Sequence, residues 1–289
     1  MPGVGIVTDS TACIPPDLAA HYGVDIIPLY LAFGDRQYRD GLSDGAGDFY
    51  ETLRTAPEPP TTAAPAPGAY AEAIARAGRD RDAVLCITVA RQFSAMYDAA
   101  TQGAALARER SPGLDVRVLD SDAAAMAQGF VTLAAAREAQ AGATIEGVLA
   151  AAEACLERVQ LLVAIDTLTY LARSGRVPRL VVWAASPLRV KPIVEFQRGS
   201  YRPVAVARTM AGAEERLLQR LERRARDGEL HVCVHHTNVP ERAEALAERV
   251  RARLQPRELL LREFTQVMGV HTGPGLLGFA FYADPVPGP

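Results

Sequence analysis

Hydroxyl and carboxylate side chains gather in a few turns of this chain: Thr8-Asp9-Ser10-Thr11 near the start, Thr61-Thr62 in a proline-rich stretch, Ser94 before a helical run, and Asp120-Ser121. Asp9-Ser10-Thr11, Ser94 and Asp120-Ser121 each follow a β-rich segment, and ligands of open parallel sheets collect at the carboxyl ends of the strands. Helix N-termini at such ends point free N–H groups outward and favour an anion. With no base, nucleophile or metal beside them, these groups suit a carboxylate or phosphate. Ser94 taken alone also reads as a helix N-cap. Near the end, His271-Thr272-Gly273-Pro274-Gly275 sets a tight backbone path between two glycines. His271 there is either an anion donor or a satisfied loop histidine.

The common catalytic patterns are missing from the sequence. The turn after the first strand, Asp9-Ser10-Thr11-Ala12-Cys13, has no glycine for a dinucleotide pyrophosphate. Lys191 precedes Pro192, so there is no phosphate-binding GxxxxGK[ST] loop, and Phe93-Ser94-Ala95-Met96 is no GxSxG elbow. His231, Cys233 and His235 would share one face of a strand and could hold zinc, but no further ligand is evident, so a buried sheet face is the plainer reading and no metal is assigned. The enzyme alternative is a metal-dependent phosphotransferase or hydrolase using Asp9 and Asp120.

The elements that must position these groups follow from pattern. Val4–Val7 reads as a strand, Pro15-Pro16 opens a helix through Tyr22, and Val24–Phe33 reads as one second strand. A short helix covers Asp48–Thr55. Five prolines in 57–67 predict an irregular loop that cannot pair in a sheet. A helix at about Ala69–Ala77, a strand at Ala83–Val89, a helix at Ser94–Arg110 and a strand at Asp115–Leu119 follow. Helices at Ala123–Ala141 and Thr144–Val159 close this half. Strands alternating with helices imply a parallel sheet flanked by helices. Beyond residue 160 come strand Leu161–Ile165, helix Thr167–Arg173 and a hairpin of Val190–Phe196 with Tyr201–Val206. Helices Met210–Arg226 and Glu241–Leu254 and strands His231–His236, Glu258–Glu263 and Leu277–Tyr282 complete a mixed α/β pattern, and Pro285–Pro289 should fray. The expected division is an N-terminal α/β domain, 1–160, and a C-terminal α/β domain, 161–289.

Composition fits a globular chain: 289 residues, 49% hydrophobic and 22% charged, with a net charge of −3. Four cysteines without a CxxC pair suit a reducing compartment. With no apolar run of membrane-spanning length and no cationic leader, the expected location is cytoplasmic. Residues 1–160 carry 12 basic and 21 acidic side chains, net −9, whereas 161–289 carry 19 and 13, net +6. That polarity suits two domains facing each other, or a second half aimed at an acidic partner or a transient membrane surface. It gives no reason to expect nucleic acid.

Taken together, the segments resemble the DegV family over nearly the full chain. Val7-Thr8-Asp9-Ser10-Thr11 is similar to its opening TDST segment, Pro60 through Pro67 to its P-x-T-S-x-P-S loop, and Ile87 through Tyr97 to its I-x-x-S-S-x-L-S-G-T-Y segment. Val118-Leu119-Asp120-Ser121, Thr167–Leu171 with Ser174-Gly175-Arg176-Val177, Val190-Lys191-Pro192-Ile193, Arg208-Thr209 and His271–Gly275 continue it in order. The resemblance implies two α/β domains enclosing one long-chain, palmitate-like fatty acid in the cleft between them. It implies a lipid-binding subunit without cofactor or catalytic residues, whose bound carboxylate a separate ATP-dependent fatty-acid kinase converts to an acyl phosphate for phospholipid metabolism. Family carboxylate contacts fall on Thr62 and Ser94, and His271 and Arg176 match positions that complete the anion site. Ala63, Ala90-Arg91 and Ala95-Met96 depart from the family's hydroxyls and glycine. Met96 suits a tunnel wall or ordinary core.

Overall fold

The computed structural model describes residues 3–41, 49–178, 190–225 and 228–285. Asp48 at a helix start, Arg226 at a helix end and the tail beyond Pro285 lie outside the described residues. The chain runs β1 (Val4–Asp9), a 3-10 turn (Ser10–Ala12), α1 (Pro16–Tyr22), β2 (Val24–Ile27), β3 (Tyr30–Phe33), β4 (Arg36–Arg39) and α2 (Phe49–Thr55). Next come β5 (Thr61–Ala63), α3 (Pro67–Ala77), β6 (Ala83–Thr88), α4 (Met96–Arg110), β7 (Asp115–Asp120), α5 (Met126–Gln140) and α6 (Ile145–Leu156). Then follow β8 (Gln160–Ala164), α7 (Thr169–Ser174), β9 (Lys191–Gln197), β10 (Ser200–Ala207) and α8 (Met210–Arg224). The last elements are β11 (Glu229–His236), α9 (Pro240–Leu254), β12 (Glu258–Glu263), α10 (Gln266–Thr272) and β13 (Leu277–Asp284). Two compact units result, Met1–Ala46 with Ala56–Glu157, and Gly47–Thr55 with Arg158–Pro289. No helix among the described residues is long and apolar enough to cross a membrane.

In the first unit, β2-β1-β6-β7 form a wholly parallel sheet. Every residue of β1 and β6 is buried, as in central strands covered on both faces. Side chains alternate along a strand, so Gly5 and Thr8 face opposite sides. A Cβ on Gly5 would sit 2.3 Å from the Ala77 carbonyl oxygen of α3, while the Thr8 hydroxyl meets Gln128 of α5 at 3.1 Å. Helices thus flank both faces of the sheet.

Three sequence expectations are corrected here. Val24–Phe33 is not one strand: β2 pairs with β1, and β3 belongs to a separate antiparallel sheet of order β4-β3-β5. Pro28, lacking an N–H, breaks the ladder between them. The proline-rich stretch does pair, through Thr61–Ala63 against Tyr30–Ala32. Pro60 and Pro65 only bracket three residues that keep their N–H groups, and an edge strand tolerates such neighbours. The helix expected from Ala123 starts at Met126, because Ala125 holds φ 55° and ψ −151°, outside helical geometry.

The second unit is built on a six-stranded mixed sheet of order β10-β9-β8-β13-β11-β12, in which only β11 and β12 run parallel. Leu162, Val232, Val234 and Phe279 project from it onto Leu217 and Leu221 of α8 and Leu246 and Val250 of α9. The alternate residues of β11, His231, Cys233 and His235, are buried on the other face. They turn to protein partners: His231 Nδ1 to Glu258 at 2.9 Å and His235 Nδ1 to the Arg262 carbonyl at 3.0 Å. α10 was not evident in the sequence and carries His271 in its last turn.

Candidate functional site

At the carboxyl end of β1 the carboxylate of Asp9 is buried. It accepts from the backbone N–H groups of Thr11 and Val89, both at 3.0 Å, from the Gln128 amide at 2.9 Å, and from the Thr11 hydroxyl. Burial pushes its pKa up, and the Thr11, Val89 and Gln128 donors pull it back. The Ser10 hydroxyl donates to Asp40 at 2.6 Å and accepts from Leu29 N–H at 3.2 Å. Asp120 accepts from the backbone of Arg91 and Asp122. Ser121 N–H bonds the Thr88 carbonyl at 3.1 Å, and its hydroxyl turns to Ala123. The reading of Asp9-Ser10-Thr11 and Asp120-Ser121 as ligand donors is therefore corrected: these groups brace strand ends. Among the described residues no cluster of His, Cys, Asp and Glu could hold a metal ion.

What they brace is the loop that carries Ser94. Val89 N–H is held by Asp9, Ala90 N–H by the Ala123 carbonyl at 2.9 Å, Arg91 N–H by Asp120 and Phe93 N–H by the Ala90 carbonyl at 2.9 Å. Ser94 is half-buried at the end of this pinned path. It does not occupy the cap position of α4: that is Ala95, which makes no side-chain cap hydrogen bond. The Ser94 hydroxyl and the positive end of a 15-residue helix therefore share one place.

Thr62 is the middle residue of β5, opposite Leu31 of β3. Thr61 and Ala63 are exposed and Thr62 half-buried, the two-residue alternation of a strand. Ala63 thus faces away from Thr62, and the hydroxyl missing there is not taken from the Thr62 face. Ala90 is fully buried. Arg91 lies outside, its guanidinium 4.4 Å from the Tyr97 ring centroid and paired with Asp98 and Asp120 at 3.5 and 3.9 Å. Met96 is fully buried.

In the second unit α7 and α10 pack where Gly273 ends α10 at φ 70°. A Cβ there would sit 2.2 Å from the Tyr170 ring, so only glycine allows both the turn and the contact. Thr237, which the sequence did not single out, fixes the path beyond. Its hydroxyl donates to the Gly273 carbonyl at 2.7 Å and accepts from Leu276 N–H at 2.9 Å, and its carbonyl takes Gly275 N–H at 2.7 Å. Within this unit His271 lies in the field of Arg176, whose guanidinium reaches the Ser174 carbonyl at 2.7 Å. Burial, and then the Arg176 charge, push the His271 pKa down to about 4, so the ring is neutral at neutral pH. With the ring neutral, the guanidinium supplies the positive charge of this pair. Within this unit His271 and Arg176 influence each other electrostatically, and Thr62 and Ser94 both lie in the first unit.

A family model described as an uncharacterised protein of the DegV family matches residues 3–284. A DegV domain-containing protein of Streptomyces coelicolor is 36% identical over 277 residues, 95% of this chain and 96% of the relative. Protein DegV of Bacillus subtilis is 30% identical over 280 residues, 96% of this chain and 98% of the relative. Two solved structures have the same fold. A fatty-acid-binding DegV family protein from Thermus thermophilus has a TM-score of 0.89 at 27% identity, covering 98% of this chain and 100% of that one. DegV of Bacillus subtilis, described as a fatty acid binding protein, has a TM-score of 0.87 at 29% identity over the same shares. The ordered motifs, the fold and a family match spanning almost every residue agree: the chain belongs to the DegV family.

Proposed function

We propose that this chain is a cytoplasmic carrier, not an enzyme, that binds one long-chain fatty acid and presents its carboxylate to a separate ATP-dependent fatty-acid kinase. The product would be an acyl phosphate for phospholipid metabolism, and a membrane surface is the transient partner. The observation that carries this reading is the likeness over 98% of the chain to two DegV structures described as fatty-acid binding. In this reading Thr62 and Ser94 receive the carboxylate, Ser94 with the N-terminal end of α4 behind it. His271 completes the site and Arg176 adds a charge. The enzyme alternative loses support because Asp9 and Asp120 already accept from protein donors.

The tail decides the size of the ligand. Burying about 14 methylenes contributes roughly 11 kcal/mol gross at ~0.8 kcal/mol each, against association costs of about 4–15 kcal/mol. A long tail thus supplies most of the affinity and the hydroxyls fix its polar end. Solvent extraction and mass spectrometry of native protein should yield an acid of about C14–C18 by this arithmetic. An empty protein or a non-lipid ligand overturns the reading. Combining Thr62→Ala with Ser94→Ala should weaken binding by about 1–3 kcal/mol, read by displacement of a fluorescent fatty acid. An unchanged dissociation constant would remove these hydroxyls from the head-group site without touching the lipid assignment.

A further inference from the structure

A separate pocket of about 350 Å³ lies wholly within the second unit. Its apolar floor is Leu162 of β8 and Phe281 of β13, and its walls are Gln160, Glu195 and three arginines from the end of α8, Arg220, Arg223 and Arg224. Four guanidinium groups surround one buried carboxylate here. Glu195 pairs with Arg202 at 2.6 Å and with Arg224 at 3.8 Å. Arg220 gives one N–H, from Nη2, to the Val204 carbonyl and keeps its other donors, and Arg223 has no hydrogen bond or ion pair among the described residues. The local charge is about +3, more than the half negative charge of a helix C-terminus can offset.

A second observation concerns the wall of the pocket, to which Gln160 belongs. Gln160 is only 7% exposed, yet its Oε1 atom is buried without a hydrogen-bond partner. A buried amide atom left unpaired costs about 1–3 kcal/mol, and amide O and N exchange by a simple flip. The Gln160 side chain shares the pocket wall with Arg220, Arg223 and Arg224. We infer that this pocket binds a phosphomonoester group, its oxygens received by Arg220, Arg223 and the Gln160 amide, with Arg224 held in place by Glu195. Crowding by like charges supports this: burial, and then Arg223, push the Arg220 pKa down, with Arg202 and Arg224 adding to the effect. Binding an anion there relieves that repulsion. The volume is at the lower end of ligand pockets, which run about 300–1,000 Å³, so the phosphate bears a small body. Guanidinium is suited to this group because its fork matches two phosphate oxygens.

The inference does not depend on the fatty-acid reading and is tested apart from it. Full-length protein is titrated calorimetrically with inorganic phosphate and with ribose 5-phosphate, against sodium chloride at matched ionic strength. A parallel arm measures sedimentation with vesicles containing phosphatidic acid, against phosphatidylcholine alone. Saturable binding in either arm supports the inference, and the arm that responds identifies the source as a free phosphate ester or a lipid headgroup. Arg220→Gln with Arg223→Gln should weaken that binding at least tenfold, and so should Gln160→Leu, which leaves the charge unchanged. Fluorescent fatty-acid binding should stay the same in these variants and shows that they are folded. Heats equal to the chloride control with no vesicle binding overturn the inference, as does binding that the substitutions leave unaltered.

Discussion

Replacing Asp9 by leucine is expected to lower the unfolding free energy by about 3–5 kcal/mol. The substitution keeps side-chain bulk but removes both acceptor oxygens. Thr11 N–H, Val89 N–H and the Gln128 amide, bonded to Asp9 at 2.9–3.0 Å, are then left unpaired in a buried site. Each unsatisfied donor costs about 1–3 kcal/mol, and neighbouring losses do not add in full. Asp9→Asn keeps one acceptor oxygen and should cost about half as much. Urea unfolding of the three proteins checks the order. The same series separates a brace from a catalyst. If Asp9 instead served a metal-dependent phosphotransferase, Asp9→Leu would leave the unfolding midpoint near that of the parent and abolish turnover of phosphate esters with a divalent ion. A loss of stability below about 1 kcal/mol would thus remove Asp9 from the role given to it here.

The Asp9 network also shows where sequence reading stops. Asp9 at the end of an apolar strand was legible as a special residue, because ligands of open parallel sheets collect at such ends, though the role read there was a ligand's and not a brace's. Its distant side-chain partner was not legible: Gln128 lies 119 positions away in an Ala-rich helix, where it reads as an ordinary polar face. Ala83–Val89 could be assigned as a buried strand from its apolar run alone, and the observed strand is Ala83–Thr88. Thr61–Ala63 could not, since its pairing depends on Tyr30–Ala32, which the prolines around it do nothing to announce.

His271 gives the same lesson for the site. The His-Thr-Gly-Pro-Gly turn pointed to it, but the helix that carries it was hidden by β-branched Val267 and Val270 and by Gly269, all poor helix formers. Tertiary packing overrides that propensity. A Cβ at Gly269 would lie 2.9 Å from the Tyr50 hydroxyl and 3.0 Å from the Phe49 ring, so α10 seats closely on α2. Residue type and turn chemistry are local and show in the sequence. Which distant segment completes a pair is set by the fold.

Acidification below neutral pH is expected to destabilise the protein, with His235 the largest single contributor. Its ring is fully buried, Nδ1 lies 3.0 Å from the Arg262 carbonyl, and Phe264 packs edge-on at 4.8 Å. Burial, with the Arg262 and His236 charges, pushes its pKa down to about 3 despite that hydrogen bond. An unfolded histidine titrates near 6.5. Between those values the unfolded chain binds a proton that the folded chain refuses, so stability is full above about pH 6.5 and falls as pH drops toward 3. At pH 5 the loss from this one ring is about 2 kcal/mol. His236 and His271 are displaced in the same direction and add to the slope. His235→Leu sacrifices the bond to Arg262 at every pH but removes the titration. Its deficit relative to the parent, measured by urea unfolding, should therefore shrink by about 2 kcal/mol between pH 7 and pH 5. Carboxylates contribute equally to both proteins and cancel in this difference. A deficit that stays constant over that interval would mean the folded state protonates His235 as readily as the unfolded chain does, and the ring would not be the buried neutral group described here.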